Sequence, residues 1–245
     1  MRAPTGWREV VPRAKMPVIV ICHNLVADLR SLVGWLERTG HQRLVLLDNA
    51  STYPPLLDYF RTTPHEVVRL RENLGHQAPW LSGLLDRLGH SCPYVVTDPD
   101  VLPDESCPPD AVEYFQSLLL RHRDFDKAGF GLRLDDIPEC YPHRWDVVRW
   151  EQPFWDKPIA AGVFAAHIDT TFAVCRPGTP YKVTEALRTG APYCARHMPW
   201  YRDPREPDAE TAYFFEHRRS DVGYWSHNDL PPAARGKLAE DRHGG

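Results

Sequence analysis

Lysine is scarce in this chain: five of its 29 basic residues, at positions 15, 127, 157, 182 and 237, leaving 24 arginines. Acids outnumber bases, 33 to 29, for a net charge of −4 and a pI near 6.3. That balance gives no electrostatic footprint for nucleic acid, so no nucleic-acid partner is expected. Long apolar runs are also missing. The best, Val18 to Cys22, is far shorter than the roughly 18 residues a membrane-spanning helix needs, so no transmembrane segment is expected. Charged residues at positions 2, 8, 9, 13 and 15 leave no room for a secretory apolar core. A cytoplasmic location, extending to a protein peripheral to a membrane, is the expectation. The six cysteines include no C-x-x-C pair and no zinc spacing, and they read as scattered reduced thiols. Internal repeats and low-complexity tracts are absent.

What is present is ordinary for a globular protein: 245 residues, 42% hydrophobic, 11% aromatic and 25% charged. Arginine suits bidentate phosphate or carboxylate contacts, but biased genome composition explains its excess at least as well. Residues 1–16 are polar and irregular and read as a loose N-terminal arm. Val18 to Cys22 is a continuous β-branched run, the mark of a buried parallel strand. Apolar residues at 25, 29, 32, 33 and 36 then predict a helix over 25–38, closed by Gly40. The alternation repeats: strand 42–47, helix 53–61, strand 66–70, helix 79–88, strand 94–97. Strands alternating with helices imply a doubly wound α/β fold with a mostly parallel sheet. His23, Asn24, Asp48, Asn49, Arg71, Asn73, Asp98 and Asp100 all follow their strands. They are therefore placed on the carboxyl edge, where ligands bind in such folds.

The second part is less regular. A helix is predicted over 108–123, a strand over 127–134 ending at Asp135 and Asp136, and strand pieces at 162–166 and 171–175 around Asp169. Beyond them the chain is rich in proline, tryptophan and charge, and the segment 229–245 reads as a flexible tail. No linker divides the chain, so a single domain is expected. Trp150, Trp155 and Trp200 either stack on a sugar in an acceptor groove or pack in the core, and packing is the commoner use.

Asp98 and Asp100 lie two residues apart at the end of an apolar strand. Two residues is the strand repeat, so both carboxylates can face one side. Converging carboxylates make a hard-oxygen site for Mn²⁺ or Mg²⁺, which also takes oxygens from a diphosphate. An acidic turn is the plain alternative, because D-P-D is turn-friendly. Asp48 equally reads as a strand-end turn residue with Asn49 and Ser51.

Four ordered elements, Val18 to Asn24, Leu44 to Ser51, Arg71 to Gly75 and Val95 to Val101, together resemble the nucleotide-sugar glycosyltransferases with the GT-A fold, and most the family 2 branch. The resemblance covers residues 17–101 well and the rest in outline. It implies a single GT-A-like domain over 17–228, with a nucleotide-sugar half at 17–101 and an acceptor half at 102–228. It implies a metal-dependent hexosyltransferase that moves a sugar from a nucleoside diphosphate sugar, UDP-linked, to a hydroxyl acceptor. It implies that His23, Asn24, Asp48, Asn49, Arg71, Asn73 and Gly75 bind the donor, with Asp48 accepting from the base. It implies that Asp98 and Asp100 hold the metal. His197, beside Pro199 and Trp200, resembles the late histidine that several GT-A enzymes add as a metal ligand.

An inverting transfer needs a carboxylate to deprotonate the acceptor. Asp169 is the first candidate and Asp136 the next, with Asp135 and Glu151 also considered. The Glu-Asp pair of the family 2 pattern is missing between 176 and 200. Two further readings remain: a nucleotidyltransferase of related topology, disfavoured because Cys22-His-Asn-Leu25 replaces its glycine-rich loop, and a non-catalytic sugar- or nucleotide-binding protein.

Overall fold

The structure is a computed structural model that describes residues 7–89 and 91–219. The expected flexible tail at 229–245 and the first six residues of the arm lie outside the described residues. In chain order the first part runs β1 (Val18–Cys22), α1 (Ala27–Arg38), β2 (Leu44–Asp48), α2 (Pro54–Thr62), β3 (Glu66–Arg69), α3 (Ala78–Leu81), α4 (Leu84–Leu88) and β4 (Tyr94–Thr97). The second part runs β5 (Val101–Pro103), α5 (Ala111–Arg121), β6 (Lys127–Leu132), α6 (Arg144–Glu151), β7 (Pro158–Ala160), β8 (Val163–Ala165), β9 (Ala173–Cys175), β10 (Ala186–His197) and α7 (Ala209–His217).

The fold is α/β, built on one ten-stranded sheet in the order β3-β2-β1-β4-β9-β6-β10-β8-β7, with β5 added beside β10. Strands β1 to β4 pair in parallel, as do β6 and β10. Strands β5, β8 and β9 run against the direction that the others share, so the sheet is mostly parallel.

Every residue of β1 and β2 is buried, as expected of apolar strands covered on both faces. Leu29, Leu32 and Leu36 of α1 and Leu56 of α2 pack on one face of the sheet. Ala78 of α3 and Leu84 of α4 pack on the other, against Ile19, Ile21, Val45 and Leu47. Truncating one such leucine to alanine costs about 2–5 kcal/mol. The change of face has a topological cause. The chain walks outward from β1 to β2 to β3, then returns to lay β4 on the far side of β1. Right-handed crossovers put the helices of the return on the opposite face. The reversal at β1 and β4 is a topological switch point, where a crevice opens at the carboxyl ends of the strands.

Four sequence readings are corrected. The single helix expected over 79–88 is split into α3 and α4, because Gly83 adopts a left-handed φ of 74°. The longest strand, β10, was not expected. Its sequence is interrupted by one glycine and one proline at Gly190-Ala191-Pro192, and its register against β6 shifts between Thr189 and Cys194. A proline in a strand interior normally argues against a central strand; the shift accommodates it. Residues 7–16 are irregular but not loose. The Val11 N–H donates to Gln116 Oε1 at 2.7 Å, Gln116 Nε2 returns a bond to Val11 O, and Arg13 pairs with Glu113. The strand piece expected from 171 begins only at Ala173, and Asp169 sits in the bend before it.

Gly129 shows how tightly the middle of the sheet is built. A Cβ there would come within 2.2 Å of Phe172 O, so no other residue fits that position in β6.

Candidate functional site

The polar strand-end residues do gather on one edge of the sheet, but in two different states. At the β1–β3 end they are occupied with one another. Asn24, at a left-handed φ of 53° that asparagine tolerates, accepts with Oδ1 from Thr52 N (2.7 Å) and Tyr53 N (2.9 Å), just before α2. Asp48 is fully buried; its Oδ1 accepts from Ser51 N at 2.8 Å and its Oδ2 from Arg69 Nε at 2.8 Å. Asn49 accepts from Leu74 N at 2.8 Å and donates to Gly75 O at 3.0 Å. Asn73 closes the same loop by accepting from Gly75 N at 2.8 Å, and Gly75 supplies the φ of 68° that the turn needs. The polar atoms of Asn24, Asp48 and Asn49 thus brace loops. Asp48 takes the strand-end turn role, with no exposed oxygen left to meet a base. Arg71 is exposed, and His23, Asn73 and Gly75 are half-buried on the same edge.

Helix α7 lies over this end. Glu210 accepts from the N–H groups of Val26 (2.9 Å) and Ala27 (3.1 Å) at the start of α1. Tyr213 donates to Thr52 Oγ1 at 3.0 Å, Phe214 meets the His23 ring edge-on, and Arg219 donates to Asn73 O at 2.7 Å. The His23 ring also approaches Asn49 O at 3.1 Å, and burial holds its pKa below the usual value. Asp208 caps α7, its carboxylate accepting from Thr211 N at 2.7 Å.

At the switch point the state is different. Asp98 follows β4 and Asp100 precedes β5. Asp98 Oδ2 accepts from Thr170 Oγ1, and its N–H donates to Thr170 O at 3.0 Å. Asp100 is buried and its Oδ1 has no hydrogen-bond partner. Burial and the neighbouring Asp100 charge push the Asp98 carboxyl well up, and burial lifts Asp100 to about 6. Two carboxylates held together out of water favour keeping one proton or recruiting a cation.

His197 ends β10, and its pairing with Val101 brings it beside Asp100, Nε2 to Oδ2 at 3.7 Å. Its Nδ1 has no partner, and burial lowers its pKa to about 4, so the ring is neutral at pH 7 and able to act as a ligand. Buried polar atoms without partners call for an ion or water. The donor set of two carboxylates and one imidazole suits Mn²⁺ or Mg²⁺. The expected triad is, however, only paired off, Asp98 with Asp100 and Asp100 with His197. Among the described residues no three His, Cys, Asp or Glu side chains stand arranged to hold a metal ion.

The base candidates separate cleanly. Asp136 is held by Arg196 Nε (2.8 Å), Arg196 Nη2 (2.7 Å) and the Tyr201 hydroxyl (2.5 Å), with Arg133 at 3.5 Å. Asp136 is thus engaged by two guanidinium groups and a hydroxyl. Asp135 pairs with Arg133, and Glu151 is buried against Arg188. Asp169 is exposed, and its Oδ1 accepts only one bond, from the Tyr181 hydroxyl at 2.6 Å. It adjoins Thr170, and its charge acts on Asp98.

Sequence reasoning missed Thr170, which reaches the site only through tertiary contact. A separate cavity of about 180 Å³ opens at the other edge of the sheet, between Pro17, Trp80, Tyr94 and Pro180. None of the strand-end polar residues lines it. Of the tryptophans, Trp200 is core, while Trp145 is the one large aromatic left exposed among the described residues, at 69%.

No protein-family model matches the chain, and no curated protein matches it. Solved structures do resemble it. One is the mannosyltransferase PcManGT from Pyrobaculum calidifontis in complex with GDP-Man and Mn²⁺, at 17% identity and a TM-score of 0.48, covering 100% of this chain and 80% of that one. Another is a mycobacterial protein, at 14% identity and a TM-score of 0.40, covering 85% and 77%. Likenesses this distant leave the assignment to the chain's own geometry. No helix among the described residues is long and apolar enough to cross a membrane.

Proposed function

We propose that the protein is a divalent-cation-dependent glycosyltransferase, which takes a sugar from a nucleoside diphosphate sugar and delivers it to a hydroxyl acceptor. One observation carries the reading. Two mutually repelling carboxylates, Asp98 and Asp100, stand with the neutral His197 at the carboxyl end of the switch-point strands. That is where a doubly wound sheet receives a nucleotide.

Asp98 and Asp100 would offer the cation, Mn²⁺ or Mg²⁺, its carboxylates, with His197 beside Asp100; because the three are not arranged as a ready-made cage, the donor's diphosphate would complete the site. When bound, such an ion stabilises charge developing on a departing diphosphate. Asp169 is the general base of the proposal. Its carboxylate is exposed, held in place by Tyr181 and linked through Thr170 to Asp98. There it would take the acceptor's hydroxyl proton. Lys127 supports that bend from beneath, donating to Asp169 O at 3.2 Å. His23, Arg71, Asn73 and Gly75 border the donor half of the edge. Asp48 is closed, so uracil recognition through its carboxylate is not part of the reading, and a UDP-linked donor rests on the family resemblance alone.

The test is a thermal-shift panel of UDP-, GDP-, CMP- and dTDP-sugars with and without Mn²⁺, followed by donor hydrolysis. Cation-dependent stabilisation by one donor, with hydrolysis lost in Asp98→Ala and Asp100→Ala, supports the reading. Stabilisation without hydrolysis points instead to a binding protein. Full cation-dependent hydrolysis in both variants overturns the assignment.

A further inference from the structure

The cavity of about 180 Å³ has apolar walls drawn from three elements and a turn: Trp80 of α3, Leu85 and Leu88 of α4, Tyr94 at the start of β4, and Pro180. The polar atoms of its two aromatic residues are spent on one carbonyl. Trp80 Nε1 donates to Thr179 O at 3.1 Å, and the Tyr94 hydroxyl donates to the same oxygen at 3.3 Å. These two donors fill both lone pairs of that oxygen, and an indole nitrogen has no acceptor capacity of its own. Neither ring therefore has a donor left for a water or a polar ligand.

Size and charge narrow the occupant. An apolar cavity of about 150 Å³ is enough to hold a benzene ring, and the space here is of that order. Flat rings suit walls of Trp and Tyr, which they meet edge-on or offset. Asp86, exposed on α4, is the one charged side chain among the described lining residues. It disfavours an anion, whose own charge would also lose water on entry. The cavity lies close to the Asp169 bend: Trp80 meets Tyr181 edge-on, with 5.2 Å between ring centroids, and Tyr181 donates to Asp169 at 2.6 Å.

We propose that this cavity is a binding site for a neutral aromatic molecule of one ring or two fused rings, held by ring contacts and apolar burial rather than by hydrogen bonds. None of the strand-end polar residues lines it, so the site stands or falls apart from the glycosyltransferase reading.

The probe is indole, with indole-3-acetate as its anionic counterpart. Cys92 lines the cavity and is half-buried, whereas Cys140 is exposed and outside it, so the two thiols report on the site and on the bulk surface. The whole chain is alkylated with iodoacetamide, with and without indole, and both thiols are read by peptide mass spectrometry. Calorimetry then compares wild type with Leu85→Phe and Leu88→Phe, which add bulk to the wall, each checked for folding by circular dichroism. Saturating indole is expected to slow Cys92 alkylation at least about fivefold and to leave Cys140 unchanged. Wild type is expected to bind indole with a Kd below about 1 mM. Indole-3-acetate is expected to bind at least about fivefold more weakly, and at least one Phe variant to lose about tenfold in indole affinity. No protection of Cys92, or equal protection of both thiols, overturns the inference. So does an anion that binds as tightly as indole, or wild-type affinity in both Phe variants. Should neither Phe variant fold, the protection of Cys92 relative to Cys140 decides.

Discussion

The β1–β3 end of the sheet edge and the β4–β5–β10 end carry similar residues and use them differently. At the first, Asn24, Asp48 and Asn49 spend their polar atoms on backbone groups of the loops beside them. At the second, Asp100 is buried and His197 half-buried, and they leave Oδ1 and Nδ1 unpartnered. Residue type and position relative to a strand do not separate the two. Satisfaction does: a buried carboxylate with two donors is structure, and one without a donor is strain kept for a purpose.

The largest expected effect tests the unsatisfied end. Asp98→Ala or Asp100→Ala, or chelation of the wild type, lowers cation-dependent donor hydrolysis by at least about a hundredfold. Hydrolysis rates with and without added Mn²⁺ measure it, and retention of activity erases the functional half of the contrast.

The satisfied end answers in stability. Asp48→Ala leaves Ser51 N–H and Arg69 without their acceptor and costs about 3 kcal/mol. Denaturant melts read this, and Mn²⁺ binding stays as in wild type. A shift in Mn²⁺ affinity would break the contrast from that side.

His41 is an exception inside the satisfied half. It is buried between α1 and β2, its Nδ1 approaches Leu36 O at 3.2 Å, and its Nε2 has no partner. Burial lowers its pKa from 6.5 to about 4, with Leu36 O and Glu113 favouring the charged form and Arg13 opposing it. Thr39 and the Trp35 ring complete its surroundings. The unfolded chain therefore takes up a proton near pH 6.5 that the folded chain refuses. Stability falls as pH drops from 6.5 towards 4, by about 2 kcal/mol from this group. His41→Gln flattens that part of the pH-stability curve, as urea melts at a series of pH values will show.

The smallest effect is a gain. Asp100 carries a raised pKa, so its charge works against folding at pH 7. Asp100→Asn raises the Tm of the cation-free protein by about 2–4 °C while removing Mn²⁺ binding. A fall in Tm would mean that the carboxylate is structural after all.

How far the site was legible follows from how local its causes are. Asp98 and Asp100 were readable because a short apolar run, then D-P-D, fixes both the strand and its polar end. The surroundings of Asp136 were not legible in that way. It too follows a strand, and nothing nearby in sequence announces Arg196 and Tyr201, which arrive from 60 and 65 residues away. Asp48 was ambiguous between turn and ligand, and its partner Arg69 sits on the neighbouring strand. Strand β10 escaped because Gly190 and Pro192 disguise it, and its place is secured by β6, β8 and β5 rather than by its own propensity.

The sequence by itself determined the order β1 to β4, their burial and the edge on which their polar ends lie. Those features follow from periodicity, turn residues and the handedness of crossovers, all of which act over a few residues or one crossover. Which of those polar ends are spent and which are open was decided only by the tertiary structure. The deciding partners, Arg69, Thr170 and His197, come from distant segments, and satisfaction of a buried group depends on what the folded chain brings against it.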